Sequence, residues 1–120
     1  MLDTTMQDYR QLEAFQLARG LLAGVCSGVP RSDTGRPIHR AAVAAAARIA
    51  DGTGLGSQAS RSSCLEEAQA SLAELGLLLR AAQEAGALPA ELAAALLERR
   101  DSASRALNSL AESTAEPPQG

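Results

Sequence analysis

The stretch Arg40–Gly52, RAAVAAAARIADG, decides the fold when it is read beside Cys64–Leu75, CLEEAQASLAEL. Both runs have helical periodicity, and both carry very small side chains on one face. The Gly-rich segment through Gly52, Gly54 and Gly56 joins them. Small residues let helix axes approach closely, so the two runs read as the tightly packed middle of a helical bundle.

Working outward, the same periodicity predicts four helices. The first is expected to start at Thr4 or Thr5, either of which can cap, and to run to about Ser27. Its core stripe reads Tyr9, Leu12, Phe15, Leu22 and Val25. Gly28, Pro30 and the polar run to Gly35 break it. The second opens near Pro37, which suits a first turn, with Ile38, Ala41, Ala45 and Ile49 on its buried side. The third begins between Ser57 and Ser60 and places Leu65, Ala68, Leu72, Leu75, Leu79 and Ala82 on one face. Gly86 stops it, and Pro89 starts a fourth helix with the stripe Leu92, Leu96, Ala103, Leu107 and Leu110. Four helices with short connections imply an all-α, antiparallel up-down-up-down four-helix bundle. Residues 1–112 form its single domain, and residues 113–120, polar and Pro-rich, read as a flexible C-terminal tail.

Composition agrees. Of 120 residues, 46% are hydrophobic and only 2% aromatic, so Ala and Leu, strong helix formers, supply the apolar mass. An Ala stripe buries little area per turn, so the second helix is expected to pack closely against its neighbours. Leu17, Leu21, Leu77, Leu78 and Leu97 fall beside or outside the main stripes. That surplus predicts a further buried surface, most simply through self-association. Eleven basic residues, all Arg, against 14 acidic ones give a net charge of -3, which argues against a dedicated nucleic-acid binder but leaves room for a local Arg patch. The N-terminus lacks the pattern of a signal peptide, and the run Ala41–Ala47 is far shorter than the roughly 20 residues a bilayer requires. Cys26 and Cys64 show no framework and fit a reducing, cytoplasmic compartment.

Chemistry-bearing residues are few. A single His excludes the Glu-x-x-His pairs of di-iron bundles, and His39 is expected to be a surface or interface polar group. Neither cysteine has a CxxC partner or an activating base, so both read as buried filler. Gly52, Gly54 and Gly56 follow a helix, not a strand, and no lysine is present to complete a phosphate loop, so they read as a helix-breaking hinge. No metal, cofactor or catalytic residue is assigned. Arg36, Arg40 and Arg48 share a sector of about 120° on the second helix, taking 100° per residue. They could meet phosphates or a partner's carboxylates, or pair internally with Glu66, Glu67 or Glu74 of the third helix. Arg36, Arg40, Arg48 and Glu74 are therefore the candidate interaction surface.

The patterns Leu12-x-x-Phe15-x-x-Ala18, Arg40-Ala41-Ala42 and Ile49-Ala50-Asp51-Gly52, with Leu65-x-x-Ala68-x-Ala70-Ser71-Leu72-x-Glu74-Leu75 and the turn Gly86-Ala87-Leu88, resemble the family called four helix bundle proteins. It includes the ribosomal-RNA intervening-sequence proteins and the accessory variability determinants of diversity-generating retroelements. The likeness spans Tyr9 to Leu110. Arg48 and Asp51 stand where the family usually has Asn and Glu, Cys64 where it has an aromatic, and Ala70 where it has Gly. The resemblance implies a small antiparallel bundle that assembles into a ring-like homopentamer without catalytic activity. It also implies, as an alternative, an accessory factor that binds a reverse transcriptase and RNA or DNA. An enzymatic reading would need a site assembled across subunits from Arg, Glu and His39, and nothing in the spacing suggests one.

Overall fold

The chain forms four helices, α1 (Leu2–Gly28), α2 (Gly35–Gly54), α3 (Gln58–Glu84) and α4 (Ala90–Ala115). This computed structural model describes the backbone of residues 2–54 and 58–115, and the side chains of residues 9–52 and 59–112. Among the described residues there is no strand, and no helix is long and apolar enough to cross a membrane. Because α1 already begins at Leu2, Thr4 and Thr5 lie inside its first turn rather than capping it. Gly56 and residues 116–120 lie outside the described residues, while α4 continues through Ser113 to Ala115.

Local hydrogen bonding sets the turns. Ser32 caps α2: its hydroxyl accepts from the Gly35 amide at 3.1 Å, and its carbonyl accepts from the Arg36 amide at 2.8 Å. Pro37 then falls within the first turn, as expected. At the α3–α4 turn Gly86 adopts φ 77°, a left-handed conformation that side chains resist. The Gly86 amide donates to the Gln83 carbonyl at 3.0 Å and the Ala87 amide to the Ala82 carbonyl at 2.8 Å, closing α3 with a Schellman motif.

Each helix packs on its two neighbours, with α4 closing back onto α1. The backbones of the diagonal pairs stay apart among the described residues. The molecule measures 54 × 21 × 19 Å, as helices laid side by side would give. The α2–α3 seam is the most extensive. Ile38, Ala41, Ala42, Ala45 and Ile49 of α2 are buried, as are Leu65, Ala68, Leu72, Leu75, Leu79 and Ala82 of α3, so small residues receive large ones. Gly52 is part of this seam. It is buried within α2, and a Cβ there would stand 3.0 Å from Leu65 Cδ2, so its function is close approach as much as helix termination.

The rotation of α1 departs from the sequence reading. Its buried residues are Ala14, Ala18, Leu21 and Val25, followed by Val29. Tyr9 is 70% exposed and Leu12 53%, while Phe15 and Leu22 are only half-buried. The cause is the α1–α4 seam. Gly20, Gly24 and Gly28 are spaced by four on one side of α1, and α4 comes in closely at Gly24 and Gly28. A Cβ at Gly24 would lie 3.0 Å from Leu96 Cδ2, and one at Gly28 would lie 2.9 Å from Leu92 Cδ1. That approach fixes the rotation and turns Tyr9 and Leu12 outward. In α4, Ala93, Leu96, Ala103, Leu107 and Leu110 are buried, with Leu88 ahead of them, whereas Leu92 is half-buried against Gly28. Of the surplus leucines, Leu21 is core, Leu17, Leu78 and Leu97 pack partly against it, and Leu77 stands 68% exposed.

Candidate interaction surface

The four candidate residues are exposed, and they do not form one cluster. Arg36 lies 3.8 Å from Asp33, with both side chains in solvent. Arg40 makes no ion pair among the described residues. Arg48 is drawn into the α2–α3 seam, where Nε meets Glu67 Oε2 at 2.9 Å and Nη1 stands 3.7 Å from Asp51. Internal pairing with an α3 acid is therefore realised at Arg48. With both partners about half exposed, such a pair stabilises by roughly 0.2–1 kcal/mol. Glu74 makes no ion pair either, and it is not joined to Arg40.

Of the two places the sequence left for His39, surface or interface, the surface is excluded. The side chain is buried at 6% exposure, and its Nε2 donates to the Val29 carbonyl at 2.6 Å. An α2 side chain thus satisfies a carbonyl left open where α1 ends, which ties the turn between the two helices. Cys26 is exposed and Cys64 half-buried, and the two are not bonded. Among the described residues, no group of three or more His, Cys, Asp or Glu is placed to hold a metal ion.

Two adjacent arginines of α4 hold the neighbouring helices, a role the sequence reading missed. Arg99 Nη1 donates to the Gly20 carbonyl of α1 at 3.0 Å, and Arg100 Nε donates to the Leu72 carbonyl of α3 at 2.8 Å. Both carbonyls already accept within their own helix, from the amide four residues on, and each uses its second lone pair for arginine. The access has a common cause: the residue four positions on is glycine in both cases, Gly24 and Gly76. A Cβ at Gly24 would stand 2.8 Å from Arg99 Nη1, and one at Gly76 would stand 3.2 Å from Arg100 Nε. The signal available in the sequence was a Gly on each of two helices and an Arg-Arg pair on a third. Alongside, Gln69 Nε2 donates to the Ser104 carbonyl at 3.0 Å and to Asn108 Oδ1 at 2.8 Å, and the Ser104 hydroxyl returns a bond to Gln69 Oε1.

Among the described residues, the exposed large apolar side chains are Tyr9 and Leu12 on α1, Val43 on α2 and Leu77 on α3. The α1–α4 seam is open on its outer side. Two adjoining clefts of about 440 and 400 Å³ share Leu17 and Ser102. Their floor includes Leu17, Leu21, Ala95 and Ala106, and charged residues stand along both margins. No model of a known protein family matches the chain, and no curated protein matches it.

Proposed function

We propose that this chain is a non-catalytic helical-bundle interaction module that associates with copies of itself. The observation that carries this reading is the set of large apolar side chains on outer faces, Tyr9, Leu12, Val43 and Leu77, on a domain that also has an open α1–α4 cleft. Large apolar side chains left on outer faces, beside a cleft with an apolar floor, offer surface that association can bury. The up-down-up-down, antiparallel arrangement belongs to the same proposal. Its support is that partners run in opposite order along each seam: Arg48 meets Glu67 while Gly52 meets Leu65, and Gly24 meets Leu96 while Gly28 meets Leu92. The resemblance to the four helix bundle proteins, with its ring of five subunits, fits this reading. Native mass spectrometry of the full chain at micromolar concentration tests it; a stable monomer as the only species overturns it.

One observation favours a second reading, an accessory factor for a reverse transcriptase that contacts nucleic acid. Arg36 and Arg40 are exposed on one sector of α2, and Arg40 has no ion pair among the described residues. On this reading RNA binding weakens as salt rises. It falls on Arg36→Ala or Arg40→Ala, and changes little on Arg48→Ala because Arg48 is engaged with Glu67. No binding at low salt rules it out.

A further inference from the structure

Leu77 projects from the outer face of α3 with exposed Ala70, Ala73 and Ala81 at helical spacings around it. The result is one large apolar knob on an otherwise low strip. The α1–α4 cleft is its counterpart in shape. At its middle, where the two hollows meet, the lining is Ser102 of α4 and Leu17 of α1, with Gly20 one turn along and Ala95 and Ala106 on either side.

Charge supplies the register. Glu74 and Arg80 flank Leu77 at three residues on either side, about 9 Å apart at 1.5 Å per residue. Arg105 and Glu98 flank Ser102 at three and four residues, about 10 Å apart on the same rise. Glu74, Arg80 and Glu98 make no ion pair among the described residues, and Arg105 reaches only the Ser102 hydroxyl, at 3.3 Å. Laid against α4 in the opposite direction, α3 of another molecule sets Glu74 beside Arg105 and Arg80 beside Glu98 as Leu77 comes over Ser102. The parallel alignment would instead set Glu74 against Glu98 and Arg80 against Arg105; with Arg99 beside Glu98 and with Arg10 and Glu13 beside Arg105 counted, the net positive end of the cleft faces Glu74 only in the opposite direction.

We propose that the α1–α4 cleft receives α3 of a second copy of this chain, seated through Leu77 and oriented by the Glu74–Arg105 and Arg80–Glu98 pairs. The proposal rests on the self-association reading and names its two surfaces. These surfaces differ, so the contact is heterologous. Every copy presents both a knob and a cleft, and successive copies close into a ring or extend as a filament according to the rotation between them. Because α3 and α4 run oppositely in the bundle proposed above, neighbouring copies point the same way.

Sedimentation velocity over a concentration series of the full chain tests the contact. Leu77→Asp is expected to weaken association at least tenfold, since a centrally buried leucine carries a large share of such an interface. Leu77 is exposed in the single molecule, so helicity and melting of the dilute variant stay at wild-type values. Glu74→Arg and Arg105→Glu each weaken association several-fold, and the double variant Glu74→Arg/Arg105→Glu recovers most of it. Wild-type association that ignores Leu77→Asp overturns this docking and leaves the module reading standing. Loss on Leu77→Asp without recovery in the double variant overturns the cleft as the receiving surface. A wild-type chain that stays monomeric overturns both the docking and the reading beneath it.

Discussion

Gly24→Ala and Gly20→Ala are chemically the same change one turn apart on α1, and the α1–α4 seam predicts opposite signs for them. Replacing glycine within a helix by alanine is worth about 0.5–1 kcal/mol, because the unfolded chain loses freedom. At Gly20 nothing stands within 4 Å of the added Cβ, so the whole gain is realised. At Gly24 the Cβ would meet Arg99 Nη1 at 2.8 Å and Leu96 Cδ2 at 3.0 Å. The guanidinium can swing away, but it then gives up its bond to the Gly20 carbonyl, a net contribution of about 0.5–1.5 kcal/mol. Leu96 is 2% exposed and has no room to retreat, so α1 and α4 must separate, an overpacking cost of about 1–3 kcal/mol. Setting these against the backbone gain, Gly24→Ala destabilises by about 0.5–4 kcal/mol. Urea unfolding followed by circular dichroism, at one low protomer concentration to suppress association, gives both values. The midpoint should rise for Gly20→Ala and fall for Gly24→Ala. Equal rises would refute the close approach of α4 along the glycines, and with it the rotation assigned to α1.

Two further substitutions probe the α1–α2 turn. Gly35→Ala would drive a Cβ into the Pro30 carbonyl oxygen, with Val29 Cγ1 at 3.2 Å closing the other side. Backbone cannot yield as a side chain tip does, so a loss above about 3 kcal/mol is expected, measured as a lower urea midpoint or an unfolded chain. His39→Ala leaves the Val29 carbonyl without its 2.6 Å donor and empties the space of a buried imidazole, for a cost of about 1–3 kcal/mol in the same assay. His39→Gln, which can donate from a similar position, should recover part of it; no difference between the two variants counts against the hydrogen bond as the source.

The faces of α2 and α3 were legible in the sequence because large and charged residues alternate there at a clean helical period. Every residue of the expected α2 and α3 stripes is buried. In α1, apolar residues occur all around the helix, and helical spacing alone drew the stripe through Tyr9, Leu12, Phe15, Leu22 and Val25. The fold instead buries Ala14 and Ala18, because α1 and α4 approach closely at Gly24 and Gly28, and a close seam excludes large residues. Size, not hydrophobicity, decided the rotation. Among the candidate site residues, pairing of Arg48 with an α3 acid was foreseeable, yet choosing Glu67 over Glu66 or Glu74 needed the relative register of α2 and α3. Where His39 would sit was left open for a related reason. A polar residue in a first turn faces water unless a neighbouring chain end offers it a carbonyl, and Val29 lies in a different helix-end turn.

The two long seams of this bundle are made close by different means, and the difference bears on function. Along α2–α3 the alanines of one helix receive the leucines of the other, Gly52 admits Leu65, and Arg48 bridges to Glu67 at the margin. Along α1–α4 the axes approach at Gly24 and Gly28, but farther along Leu17 and Gly20 face Ala95, Ser102 and Ala106, side chains too small to fill the outer half. Arg99 holds that seam through a carbonyl bond instead of through packing. A chain selected only for stability gains by enlarging such residues, since each filled cavity adds to burial. On the proposed docking, the small side chains beside the open cleft and the exposed Leu77 on the outer face of α3 would each supply one half of a contact between copies. The energy that intramolecular packing leaves unused on the α1–α4 side is what association through Leu77 would recover.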